Sequence, residues 1–182
     1  MRFLLPALLL LFLASGCAGQ SEELLPIPAS IKGASKVSDV DVIFRQQAAP
    51  AVAAMDARLR QRPANAAGTA PLPFSELLER SIRQAAGEAG LTSGRALKLV
   101  VEVDAIQTAD AASALIGRDD RLAGSVLVRD AATGEELGQL YIEIDRHNGG
   151  LISALSRIGN VRESLARQFG AEVAAGLSAK KR

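Results

Sequence analysis

The chain has one cysteine, one histidine and no tryptophan among its 182 residues. A lone cysteine excludes an internal disulfide framework, and with a single histidine it also excludes a Cys/His zinc cluster. No metal and no cofactor are expected. Aromatics make up 3% of the chain, too few for the stacking platforms that single-stranded nucleic acids use. Neither charge dominates, since 21 Lys+Arg against 20 Asp+Glu leave a net charge of +1. A face basic enough to neutralise a phosphate backbone is therefore not expected, and nucleic acid is excluded as a partner. There is no G-x-S-x-G elbow, no G-x-x-x-x-G-K phosphate loop and no G-x-G-x-x-G turn, so the commonest sequence signatures of hydrolases and nucleotide binders are missing. The apolar run from Phe3 to Leu13 falls short of the roughly 20 residues that a spanning helix needs.

That run follows the basic Arg2 and ends in Ala14, Ser15, Gly16 and Cys17. It has the length and flanks of a secretory signal. Small residues followed directly by the only cysteine resemble the lipobox of bacterial lipoproteins. Ala14 stands where Leu is usual. The resemblance covers residues 1–17 and implies cleavage between Gly16 and Cys17, with a covalent lipid on the Cys17 thiol and acylation of its new amine. Several acyl chains at about 0.8 kcal/mol per buried CH₂ hold such a protein stably on a membrane. Ala18, where an Asp would retain the protein in the inner membrane, implies sorting to the outer membrane, with the domain facing the periplasm.

Three parts are expected: a signal peptide (1–16), a lipidated cysteine with a tether (17–36) and a single domain (37–182). Pro26, Pro28 and Gly33 argue for the tether, because they interrupt any regular period. Leu24, Leu25, Ile27 and Ile31 are unusually apolar for a free linker and are expected to lie along the domain or along a partner.

Within the domain, Val40, Val42 and Phe44 alternate with Asp39 and Asp41, a half-buried strand. Residues 49–62 read as a helix with Pro50 in its first turn. A second helix is expected from Pro73 to Ala89, with Phe74, Leu78, Ile82 and Ala85 on its apolar face and Gly90 as its C-cap. Three strands follow, at 96–106, 122–129 and 137–145. Asp130 and Gly134 mark a tight hairpin between the last two. Leu151 to Ile158 suggests a short helix, and Val161, Leu165, Phe169, Val173 and Leu177 describe a longer one. The expected fold is α+β, a two-layer sandwich in which a four-stranded mixed sheet carries helices on one face. The last three strands form an antiparallel meander, and the first enters parallel through a helical crossover.

Lipobox, element order and the D-x-x-T-G hairpin at Asp130 to Gly134 together resemble the small α/β domains of envelope lipoproteins, including uncharacterised lipoprotein families and the lipopolysaccharide-assembly lipoprotein. The resemblance implies a binding or scaffolding role in envelope assembly, without enzymatic activity. The partners implied are the membrane, through the lipid, and an envelope protein. A self-associating structural protein is the first alternative, and a periplasmic hydrolase using His147 the second.

The meander topology also brings together Arg45, the long segment 107–121 and the segment after the last strand. The candidate partner-binding rim is therefore Arg45, Arg118, Asp119, Asp120, Arg121, Arg146 and His147, whose arginines offer forked donors to carboxylate or phosphate groups. Asp119 and Asp120 sit between Arg118 and Arg121, a pattern of local ion pairs rather than a cation site. Ser178 to Lys181 matches S-x-x-K but lacks the companion motifs of penicillin-interacting enzymes.

Overall fold

The computed structural model describes residues 18–60, 71–108, 119–146 and 161–179. Five strands and three helices follow one another as β1 (Ala18–Leu25), β2 (Ser35–Phe44), α1 (Ala49–Arg60), α2 (Phe74–Glu88), β3 (Arg95–Gln107), β4 (Asp120–Asp130), β5 (Glu136–Arg146) and α3 (Val161–Leu177). They form an α+β sandwich whose single sheet has the order β1-β5-β4-β3-β2. β2 runs parallel to β3, and β3, β4 and β5 form an antiparallel meander, as the alternation and the short hairpin require.

The sheet has five strands, not four. The additional one is β1, in the stretch expected to be a tether, and it pairs antiparallel with β5 from Ala18↔Asp145 to Leu25↔Gln139. Backbone hydrogen bonds build this edge, and its side chains are largely exposed, so it leaves no alternating apolar signature. The apolar residues of that stretch divide between two fates. Ile27 and Ile31 are buried in the core of their own domain, whereas Leu24 and Leu25 remain 52% and 43% exposed.

One face of the sheet carries the core. Leu97, Leu99, Val101 and Val103 of β3 are fully buried, while Lys98, Val100, Glu102 and Asp104 between them are half-buried on the other face. This is the two-residue period of a sheet covered on one side. Against the covered face lie Phe74, Leu78, Ile82 and Ala86 of α2 with Leu165, Phe169, Val173 and Leu177 of α3. Ala86, rather than Ala85, completes the apolar stripe of α2. The short helix expected at 151–158 lies outside the described residues.

Of the glycines with left-handed backbone among the described residues, Gly90 and Gly134 shape the ends of elements. Gly90 (φ 80°) ends α2, where the Leu91 N–H returns to the Ala86 carbonyl at 2.9 Å. Gly134 (φ 74°) turns the β4–β5 hairpin. The Asp130 carboxylate fixes that turn by accepting the N–H groups of Ala132 and Thr133, both at 2.8 Å. Chiefly through its hydrogen bond from Arg95, and then through the turn amides, this carboxyl is held well below the usual carboxylate range.

Candidate functional site

Five of the seven residues expected at the rim lie among the described residues. The register sets Asp120 opposite Arg146, Arg121 opposite both Asp145 and Gln107, and Phe44 opposite Val103. Arg45, Asp119, Asp120, Arg121 and Arg146 therefore share one end of the sheet. The Thr133-Gly134 hairpin lies at the other. Arg118 and His147 lie outside the described residues, as do Gly16 and Cys17.

Arg45 follows β2 directly and is placed by its own backbone, whose N–H donates to the Val103 carbonyl at 3.0 Å. Its guanidinium then spans β3, with Nε donating to Glu102 at 3.1 Å and standing 3.2 Å from Asp104. The hydrogen bond to Glu102 raises the Arg45 pKa further. Arg121 repeats this arrangement on β4. It pairs with Glu143 and stands 3.8 Å from Asp145. Both forks are thus taken up by carboxylates of the neighbouring strands. Counting Asp119 and Asp120, acids outnumber arginines among the described residues at this end, and Asp120 is fully buried. The rim is a band of ion pairs laced across strands, with an open hollow of about 510 Å³ lined by Arg45, Gln46, Gln47 and Asp104.

Sequence reasoning did not anticipate the membership of β1 in this end. Ala18 pairs with Asp145, which sets this part of β1 near Arg121 and Asp145. Nor did it anticipate that α3 packs against this part of β1. A Cβ on Gly19 would lie 2.6 Å from the Glu172 carboxylate of α3, which is itself buried. The signal available was the glycine in an otherwise side-chain-bearing stretch, which marks a close approach. Among the described residues no His, Cys, Asp and Glu side chains gather in threes as metal ligands, and no helix is long and apolar enough to cross a membrane.

No family model matches this chain, and no curated protein matches it. Solved structures do. A variant of PelC from Paraburkholderia phytofirmans, a dodecamer, superposes with a TM-score of 0.50 at 13% identity, over 90% of this chain and 100% of that one. A protein of the family DUF330 from Xanthomonas campestris gives 0.44 at 13% identity, over 76% of this chain and 90% of that one. The likeness to PelC is one of fold.

Proposed function

We propose that this protein is a lipoprotein held on the outer membrane through Cys17, with a periplasmic domain that serves envelope assembly by docking rather than by catalysis. The observation that carries this reading is that Ala18, the residue after the only cysteine, is already paired with Asp145 of β5. A lipid on Cys17 would then join the sheet with almost no slack. The rim of Arg45, Arg121 and Arg146 would face the membrane and whatever protein lies in it. Confinement of this kind raises the effective concentration of the domain beside a membrane partner.

The expected result is that labelled palmitate enters the wild-type chain and not Cys17→Ser, and that the variant leaves the washed membrane fraction or accumulates uncleaved. Equal labelling of the two would overturn the anchor. A second reading, self-association, is favoured by the shared fold with a dodecameric protein. Light scattering of the detergent-solubilised chain tests it, with a mass several times that of one 19.0 kDa chain as the supporting outcome.

A further inference from the structure

The outer edge of the sheet at β2 is closed along part of its length and open along the rest. At its start, Val37 donates to the Leu91 carbonyl at 3.4 Å, and Lys36 bridges to Thr92. Next, Arg83 donates to the Ser38 carbonyl at 2.9 Å, and the Asp39 carboxylate accepts the Val40 N–H at 3.0 Å. Beyond Val40 these closures end. Because the Arg45 N–H points to β3, alternation turns Ile43 and Asp41 to β3 and the N–H and C=O groups of Val42 and Phe44 outwards. Among the described residues nothing pairs with them.

Beside this open stretch runs a groove of about 400 Å³, walled by Asp41, Val42 and Ile43 on the strand and by Ser75, Glu76 and Glu79 on α2. Its charged walls are all acidic. Asp41 and Glu79 are partly neutralised by Lys98 and Arg83. Glu76 is exposed and held by no ion pair among the described residues. Ile43, 48% exposed, offers an apolar contact on the opposite side of the strand. An edge strand beside a helix is the arrangement by which extended peptides add to a sheet, with backbone bonds giving affinity and alternate side chains giving specificity.

We propose that the β2 edge from Val40 to Phe44 docks an extended basic segment of another protein as an added strand. Its cationic side chains lie towards Glu76 and Glu79, and its alternate apolar side chains lie beside Ile43. Charge selects this occupant over a second copy. The other edge strand among the described residues, β1, carries Glu22 beside the Lys32-paired Glu23, and β2 itself carries Asp39 and Asp41, held by Arg83 and Lys98, so neither strand brings the unpaired positive charge that Glu76 would attract.

The test uses the full chain in detergent and a fluorescent seven-residue peptide alternating Lys and Val, with a Glu/Val peptide as control. The Lys/Val peptide is expected to bind and to slow hydrogen exchange at Val42 and Phe44, and its affinity should fall with added salt. Glu76→Gln should weaken it, and Glu76→Lys should weaken it more, by about tenfold or beyond, with unchanged thermal melts showing that both variants fold. Val42→Pro, which removes an outward N–H at an edge where proline is tolerated, should abolish binding. Equal binding of the Glu/Val peptide, binding without protection of β2, or indifference to Glu76→Lys would each overturn the proposal. So would protection of β2 that rises with protein concentration in the absence of peptide, which would assign the edge to a second copy.

Discussion

Gly170 of α3 lies directly against the backbone of Ser81 in α2, so close that a Cβ on Gly170 would stand 2.6 Å from the Ser81 carbonyl oxygen. The two helices cross on backbone rather than on side chains, which lets Phe169 and Val173 on one side and Ile82 on the other reach the sheet together. Replacing Gly170 by Ala improves helix propensity by up to ~1 kcal/mol but pushes rigid backbone apart. The overpacking is expected to win, with a net loss of about 1–2 kcal/mol. A denaturant melt in which Gly170→Ala equals or exceeds the wild-type midpoint would contradict the crossing.

Asp56 of α1 acts as a cap for a helix that begins 18 residues later, accepting the Phe74 N–H at 3.1 Å. It also pairs at 3.4 Å with Arg162, whose guanidinium lies 5.9 Å from the centre of the Phe74 ring and donates to the Leu72 carbonyl at 2.8 Å. One carboxylate therefore ties α1, α2 and α3. Asp56→Ala is expected to cost about 0.5–2 kcal/mol as a lost cap, and more for removing one of the partners of Arg162. Asp56→Asn keeps an acceptor for Phe74 and should lose less. Equal melts for the two variants would show that the cap contributes nothing.

Leu99 is fully buried beneath the helices at a central strand position. Leu99→Ala should lower stability by about 2–5 kcal/mol, whereas Val100→Ala, on the half-buried face, should lower it by less. Reversal of that order in urea unfolding would mean that the strand's faces are exchanged.

The Asp130 carboxyl is held down by its hydrogen bond from Arg95 and by the turn amides of Thr133 and Ala132. A group with a depressed folded-state pKa contributes stability that is present above its unfolded value, about 3.9, and is lost as pH falls below it. Asp130→Asn should therefore melt below the wild type at neutral pH. The gap should narrow as the pH is lowered through 4 and beyond, on the order of the unfolded carboxyl's range. A gap that stays constant from neutral to acid pH would remove the carboxylate from the hairpin's stability.

The central part of the architecture was legible because burial there follows a simple period. Residues 96–106 alternate, Phe74, Leu78 and Ile82 recur at helical spacing, and Asp130 with Gly134 specifies a turn, so β3, α2 and the β4–β5 hairpin followed. β1 was not legible, since Ala18–Leu25 is built from backbone bonds to β5 and mixes Glu22, Glu23, Leu24 and Leu25 with a register shift. The coming together of Arg45, Arg121 and Arg146 followed from strand order alone. The pairing of those arginines did not, because it depends on register, which sets Arg121 opposite Asp145 and beside Glu143. The β2 groove escaped notice because it needs both the free edge and the helix beside it, which come from separate stretches of chain.

The pairing of β1 with β5 also bears on the order of folding. β2 to β5 are joined through neighbours close in sequence or through one helical crossover, whereas β1 must wait for β5, whose register begins at Gln139. Contacts between such distant segments carry the largest loop-closure cost and form slowly. Of the described strands, β1 is the first to be made and the last able to find its place. Its unpaired backbone and exposed Leu24 and Leu25 are then open to the wrong neighbour. Docking of β1 is the step at which this sheet is most vulnerable to misassembly, and removing those two leucines should improve refolding yield more than it alters the finished fold.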